Sequence, residues 1–351
     1  MERACGPFAF WRRVHLFSRE KALLRIVFLL APLPAFAISL LIGTYTLPPE
    51  DAIGVIVSHV VNLNFDHPSV YDTIIFNIRL PRILLAMMVG MALSVSGAAF
   101  QGIFRNPLVS PFILGVSSGA AFGAALSIGV FPQIPVQVGA FVFSLLAVGL
   151  ACAMSRVRGR TPPVSLVLSG VIVSAVFGSL LAIIQFAVDE KSLQSIVYWN
   201  MGSLSTACWS KFDHSFPMVA AGCLVILMLR WKLNVLALGE EEARSVGMNS
   251  ELYKSIFILA STLAASAAVA VAGIIGLVGL IVPHMIRMIF GPDHRTLIPL
   301  SMTFGAAFLV LVDDLARAAL SFEVPVGVIT TLLGAPFFVY LLRATKGGGW
   351  E

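Results

Sequence analysis

Charge is scarce in this chain: Asp, Glu, Lys and Arg make up 12% of its 351 residues, about half of the roughly 25% usual in soluble domains. The apolar set reaches 58% without counting the 29 glycines, and the mean hydropathy is +0.94. So few charges cannot clothe a soluble domain of this length. Disorder, a collagen-like fibre and a secreted disulfide scaffold are excluded by the same figures. Cysteine is sparse too. The four residues Cys5, Cys152, Cys208 and Cys223 show no short pairing and read as small packing residues, not as metal or redox ligands.

Chemistry-bearing motifs are also missing. A P-loop needs a lysine that reaches phosphate from a glycine-rich turn, and none of the six lysines follows a glycine. There is no H-E-x-x-H, C-x-x-C or G-x-S-x-G. The six histidines (15, 59, 67, 214, 284 and 294) never lie i, i+4 on one helix, and His284 reads as a packed or capping residue, with a ligand or proton relay as the alternative. A proton- or sodium-coupled carrier places acids in mid-membrane. Here the acids at any depth are Asp313 and Asp314, near a helix end. No catalytic residue, metal site or resident cofactor is expected, and no energy source is visible.

Long apolar runs are what the chain does have. No charged residue occurs in 26–49, 83–104, 106–155, 161–188, 214–229, 255–286, 296–312 or 324–342. A spanning helix needs about 20 apolar residues. The run 106–155 is therefore two spans, broken at Phe131-Pro132-Gln133-Ile134-Pro135. The run from 255 continues past His284 and breaks at Gly273, predicting a span to about 271 and a shorter one over about 274–290. The result is an all-α polytopic membrane protein of ten helices. No ten-residue alternation points to a β-barrel.

Basic residues orient the helices. With both termini inside, the cytosolic pieces hold 18 of the 23 Lys and Arg, leaving Arg79, Arg82, Lys191, Lys211 and Arg317 on the other face. That split follows the positive-inside rule. The net charge of +5 thus reports topology and calls for no nucleic-acid partner. Ala35-Phe36-Ala37 imitates a leader-peptidase site, but the apolar run continues to about Leu47, too long for a cleaved leader. The expected organisation is a cytosolic segment 1–25, a membrane domain 26–343 and a cytosolic tail 344–351.

Several segments stand out. Gly115, Gly119 and Gly123 recur every fourth residue, as do Gly170, Ser174 and Gly178. Such small faces let helix backbones approach closely, within one chain or across a dimer. Glycine and proline also interrupt helices at Gly273-Ile274-Ile275-Gly276 and Val282-Pro283-His284, a hint of a pathway, because irregular backbone survives at membrane depth only inside protein or beside a wet cavity. In Leu238–Gly247, three acids open a short helix where the macrodipole favours them, and Gly247 closes it in the left-handed conformation. It reads either as a solvated loop or as a docking element for a cytosolic partner. On the other face Arg79, Arg82 and Arg317 either snorkel to headgroups or receive an acidic soluble protein. Asp313 precedes Arg317 at the favourable i, i+4 spacing.

The runs IRLPR (78–82), SGAAFQGIFRNPLVSPFILGVSSGA (96–120), YWNMGSL (198–204), LALGEEEARSVG (236–247), VAVAGIIGLVGLIVPHMIRM (269–288), DHRTLIPL (293–300) and EVPVGVITTLLGAPFFVYLL (323–342) resemble the binding-protein-dependent ABC importer permeases for metal chelates. The likeness runs from about Ile78 to Leu342, and before Ile78 it is generic. It implies ten spans, a homodimer around a central pathway, two separate ATPase subunits that bind ATP and magnesium, and a periplasmic or lipid-anchored substrate-binding protein. It further implies a bacterial or archaeal inner-membrane location. By residue, it implies a coupling helix at Leu238, Gly239, Glu240, Ala243, Arg244 and Gly247. Docking would fall to Arg79, Arg82 and Arg317, and a cytoplasmic gate to Asn106, Pro107 and Leu108. A second gating loop holds a Thr-Ser pair in the cobalamin member, where this chain has Pro163 and Val164, a departure that argues against cobalamin. The expected cargo is a ferric siderophore or haem. Cobalamin or an oxyanion such as molybdate is the alternative within the fold, and a secondary carrier or channel the alternative outside it.

Overall fold

The computed structural model describes residues 21–43, 45–61, 67–156, 159–318 and 322–344. Residues 1–20 of the expected cytosolic segment, 345–351 of the tail, and Cys5 lie outside these. Among the described residues every regular element is a helix.

α1 (Lys21–Leu30) and α2 (Pro32–Leu41) form one apolar pair bent by 40°, at the point where Pro32 removes a backbone donor. α3 (Pro49–Val61) follows, then α4 (Ser69–Asp72), a π-helical stretch Thr73–Arg79, and α5 (Leu80–Phe104), the last three running on without a break. The remaining helices are α6 (Val116–Gly129), α7 (Val136–Ser155), α8 (Pro163–Ala187), α9 (Glu190–Asn200), α10 (Trp209–Leu238), α11 (Glu240–Ser245), α12 (Ser250–Ala272), α13 (Val278–Phe290), α14 (His294–Ala318) and α15 (Val326–Ala344).

Six of these helical stretches are long and apolar enough to cross a bilayer, seven when the bent α1–α2 pair is one span. Three shorter apolar helices, Val116–Gly129, Val278–Phe290 and Val326–Phe337, fall where the charge gaps place the other expected spans. Their shortness has local causes. Turns fill 105–115, and α6 starts only after Gly115, at φ +90°. Between α12 and α13 the chain passes through left-handed conformations at Gly273 and Leu277. That irregular stretch is packed inside protein: Ser203 donates its N–H to the Ala272 carbonyl at 2.8 Å, and Gly327 to that of Gly202 at 3.2 Å. Backbone groups that leave the helical ladder are thereby satisfied by neighbouring segments, as the apolar surroundings require.

α5 is the axis of the molecule. From Pro81 to Phe104 all but Leu84, Met87 and Met91 are buried, the signature of a helix surrounded on every side. Small residues make this possible. A Cβ on Gly90 would strike the Gly305 carbonyl of α14, and one on Gly97 the Gly279 carbonyl of α13. The Gly119 and Gly123 stripe packs against α7, at Phe143 and Gly139, and Gly170 packs against the Ile113 carbonyl. These contacts lie within the chain. Gly178 differs, with open space where a Cβ would stand.

α8 is the least covered of the long helices: 28% of its most apolar window is buried, against 83% for the stretch containing α5. Val164, Leu168, Val171, Val176, Ile183 and Phe186 are exposed along it.

Candidate functional site: charged networks at the two ends of the bundle

Because charge is rare here, the places where it is buried mark the ends of the bundle. At the α5 N-terminal end, Arg79, Arg82 and Arg317 are only 2%, 7% and 7% exposed. Arg82 donates Nε and Nη2 to the two oxygens of Asp313 at 2.9 and 2.8 Å, and Nη2 to Glu323 at 2.6 Å. Arg317 pairs through Nε with Asp313 at 3.2 Å, the i, i+4 pair read from the sequence, and with Asp314 through Nη2. Ser39 donates to Asp314 at 2.6 Å. Arg79 donates to the carbonyls of Leu40 and Tyr45, both at 2.6 Å.

Arg82 and Arg317 therefore share three carboxylates, which offset the desolvation of both cations, while the buried Arg79 is met by backbone carbonyls. A free docking arginine would hold its donors toward solvent, whereas these point into their own chain and tie α2, α5 and α14 together.

At the other end of α5, α10 ends at Leu238 and Gly239, at φ +142°, turns the chain into α11. Gly247 does close that helix at φ +76°. Its N–H meets the Arg244 carbonyl and that of Met248 the Ala243 carbonyl, each at 2.9 Å. This is a Schellman closure, with Ala243 and Met248 both buried beneath it.

Burial divides the expected coupling residues. Leu238, Arg244 and Gly247 are exposed, together with Glu241, Glu242, Ser245 and Val246. Gly239 and Ala243 are buried, and Ala243 is 0% exposed. Its methyl is enclosed by its own chain, and the residues around it are the ones α11 turns outward. Glu240 turns inward to Lys254.

Lys254 escaped the sequence reading. It is 2% exposed, and its ammonium donates to Glu240 Oε1 at 2.8 Å and the Thr161 carbonyl at 3.0 Å. It also pairs with Glu251 at 2.7 Å. Glu251 in turn accepts from the N–H and Oγ1 of Thr161 at 3.1 and 2.7 Å. The available signal was a Glu–Lys pair at i, i+3 just ahead of a long uncharged run. Nearby, Asn234 of α10 joins Asp293 and His294 at 2.6 and 2.8 Å. The Arg295 N–H and the Asn234 amide hold the Asp293 carboxyl below the usual range.

The expected gate residues also fall near this end. Asn106 accepts from the Leu108 N–H at 2.9 Å in a local turn, and Asn106 and Leu108 are exposed. Pro163 and Val164 do not form a loop. They are the first residues of α8, because proline is pre-set for that position. Val164 is 80% exposed.

The FecCD transport family matches residues 29–344. The chain belongs to that family. The match takes in the region before Ile78 that the motifs left generic. Among FecCD relatives, the cobalamin import system permease of Halobacterium salinarum is 43% identical over 82% of this chain and 78% of its own length. A probable iron chelatin transport system permease of Helicobacter pylori is 41% identical over 81% and 87%. The hemin transport system permease of Yersinia pestis is 41% identical over 76% and 82%. A solved metal-chelate type ABC transporter in an inward-facing conformation aligns at TM-score 0.81 with 36% identity, covering 92% of this chain and 99% of that one. The cargo names differ among these relatives.

Proposed function

We propose that this chain is the membrane permease of an ATP-driven importer for a metal chelate, a ferric siderophore or haem. The observation that carries the proposal is the end-to-end correspondence with the metal-chelate type ABC transporter, 92% of this chain against 99% of that one. The three shorter helices complete ten crossings, with both termini on the cytosolic side. Two copies pair, with α8 facing the two-fold axis. The bare apolar side of that helix supports this, and an axis position makes each residue meet its own counterpart.

ATP and magnesium belong to separate ATPase subunits, which seat on the exposed side of α11: Leu238, Glu241, Glu242, Arg244, Val246 and Gly247. Asn106, Pro107, Leu108 and Val164 close the pathway near that end. A substrate-binding protein delivers cargo at the Arg82 end. If Arg79, Arg82 or Arg317 meets it directly, the guanidinium must exchange an acceptor of this chain for one of the partner.

Copurification tests the proposal. An ATPase should remain bound to the detergent-solubilised chain and should be lost when Arg244 and Val246 are both changed to Asp. A chain that transports after reconstitution into sealed vesicles without any ATPase would overturn it in favour of a carrier or channel.

A further inference from the structure

We propose that Lys254 is the positioning residue that ties the coupling helix α11 to the start of α8, so that movement imposed on α11 is passed to the pathway wall. The inference rests on the transporter reading above. Its ammonium meets three separate segments: it donates to Glu240 at 2.8 Å on α11 and to the Thr161 carbonyl at 3.0 Å ahead of α8, and it forms an ion pair with Glu251 at 2.7 Å on α12. Glu251 grips the same Thr161 twice more, through its N–H and its hydroxyl. α11 and Thr161 are thus held by one buried cation and one shared carboxylate.

Two prolines make the tie mechanical. Pro162 and Pro163 come directly after Thr161, and α8 begins at Pro163. Proline fixes φ near −65°, so half of the backbone torsions at those two residues are locked and a shift of Thr161 is passed on to the first turn of α8. Val164 lies in that turn and is the exposed start of the bare α8 face. On the other side, the Schellman closure and buried Ala243 hold α11 as one piece on the base of α12. A buried ion cluster is weak evidence for stability, since apolar replacements often serve as well, and its better-attested use is to fix one arrangement over others.

The test uses the full complex of chain and ATPase, with the four native cysteines replaced and a spin label on Val164→Cys. The distance between labels in the two copies is measured without nucleotide and with ATP trapped by vanadate. In the parent complex the distribution should move between two states on trapping. Coupling between sites commonly amounts to about 5–150-fold, so Lys254→Met should cut the nucleotide-dependent population ratio at least about fivefold, while the ATPase still binds and hydrolyses ATP. Glu240→Ala, which leaves Lys254 paired with Glu251 and less at risk of misfolding, should show the same loss. Glu240→Gln, which keeps an acceptor, should restore most of the shift. If Glu240→Ala and Lys254→Met both shift like the parent, the tie is refuted while the transporter reading stands. No dipolar signal and no bound ATPase in the parent would instead refute that reading.

Discussion

Asp313 is the residue whose loss the structure prices most clearly. It is 1% exposed and accepts two bonds from Arg82 and an ion pair from Arg317. Asp313→Ala strips the Nε partner from both guanidiniums inside the protein. Each lost charge-assisted bond is worth about 1.5–3 kcal/mol, and breaking a buried pair from one side costs about 3–5 kcal/mol. Arg82 keeps Glu323 and Arg317 keeps Asp314, so the lower end applies, about 3 kcal/mol. Glu323→Gln is the control. Glu323 is 25% exposed, and its replacement still offers an oxygen, so it should cost about 1 kcal/mol or less. Equilibrium unfolding of the purified chain in mixed micelles measures both. If Asp313→Ala loses less than about 1 kcal/mol, the guanidiniums find water when abandoned and the buried network is not what holds α2, α5 and α14 together.

Three further outcomes are expected. Gly247→Val forces a β-branched residue into the left-handed region at about 1–2 kcal/mol, with open space around it; the chain should fold, but ATP hydrolysis should no longer drive uptake, whereas Gly247→Asn should be tolerated. Single cysteines at Leu108 or Val164 should give symmetric crosslinks whose yield changes with nucleotide on gel analysis, and transport that survives locking both would place the pathway inside each protomer. Asp293, whose carboxyl is depressed, should contribute stability that is fully present above about pH 4 and lost as the pH falls further; acid titration of Asp293→Asn should lack that component.

The spans were legible because charge is so rare that its gaps outline helices. The break at Gly273 and the one at 131–135 both fall between helices, α12–α13 and α6–α7. Length was harder to read. The residues from Arg105 to Gly115 are nearly as uncharged as a spanning helix, yet two prolines and a glycine at φ +90° make them turns. α3 and α9 went unseen for the opposite reason. They are short, carry charge, and in α9 rest on an Asp189 cap that accepts from two backbone N–H groups, a signal too local for a search by apolar length.

The charged residues were found, but their direction was not. Arg82 and Asp313 are 231 positions apart, and only the packing of α14 along α5 makes them meet. A rule that counts charge by side of the membrane sees an arginine outside and asks for an external partner. For Arg82 and Arg317 the first claimant is a carboxylate of the same chain, because leaving either partner unpaired inside costs more than the pairing. Lys254 obeys the same logic at the opposite end. Close glycine contacts set the register of α5 against α13 and α14 along its length, and the ionic clusters fix it at the two ends. Two such clusters, one at each end of α5, leave α8 as the long helix held at its root and bare along its side. Movement between states is expected in that helix.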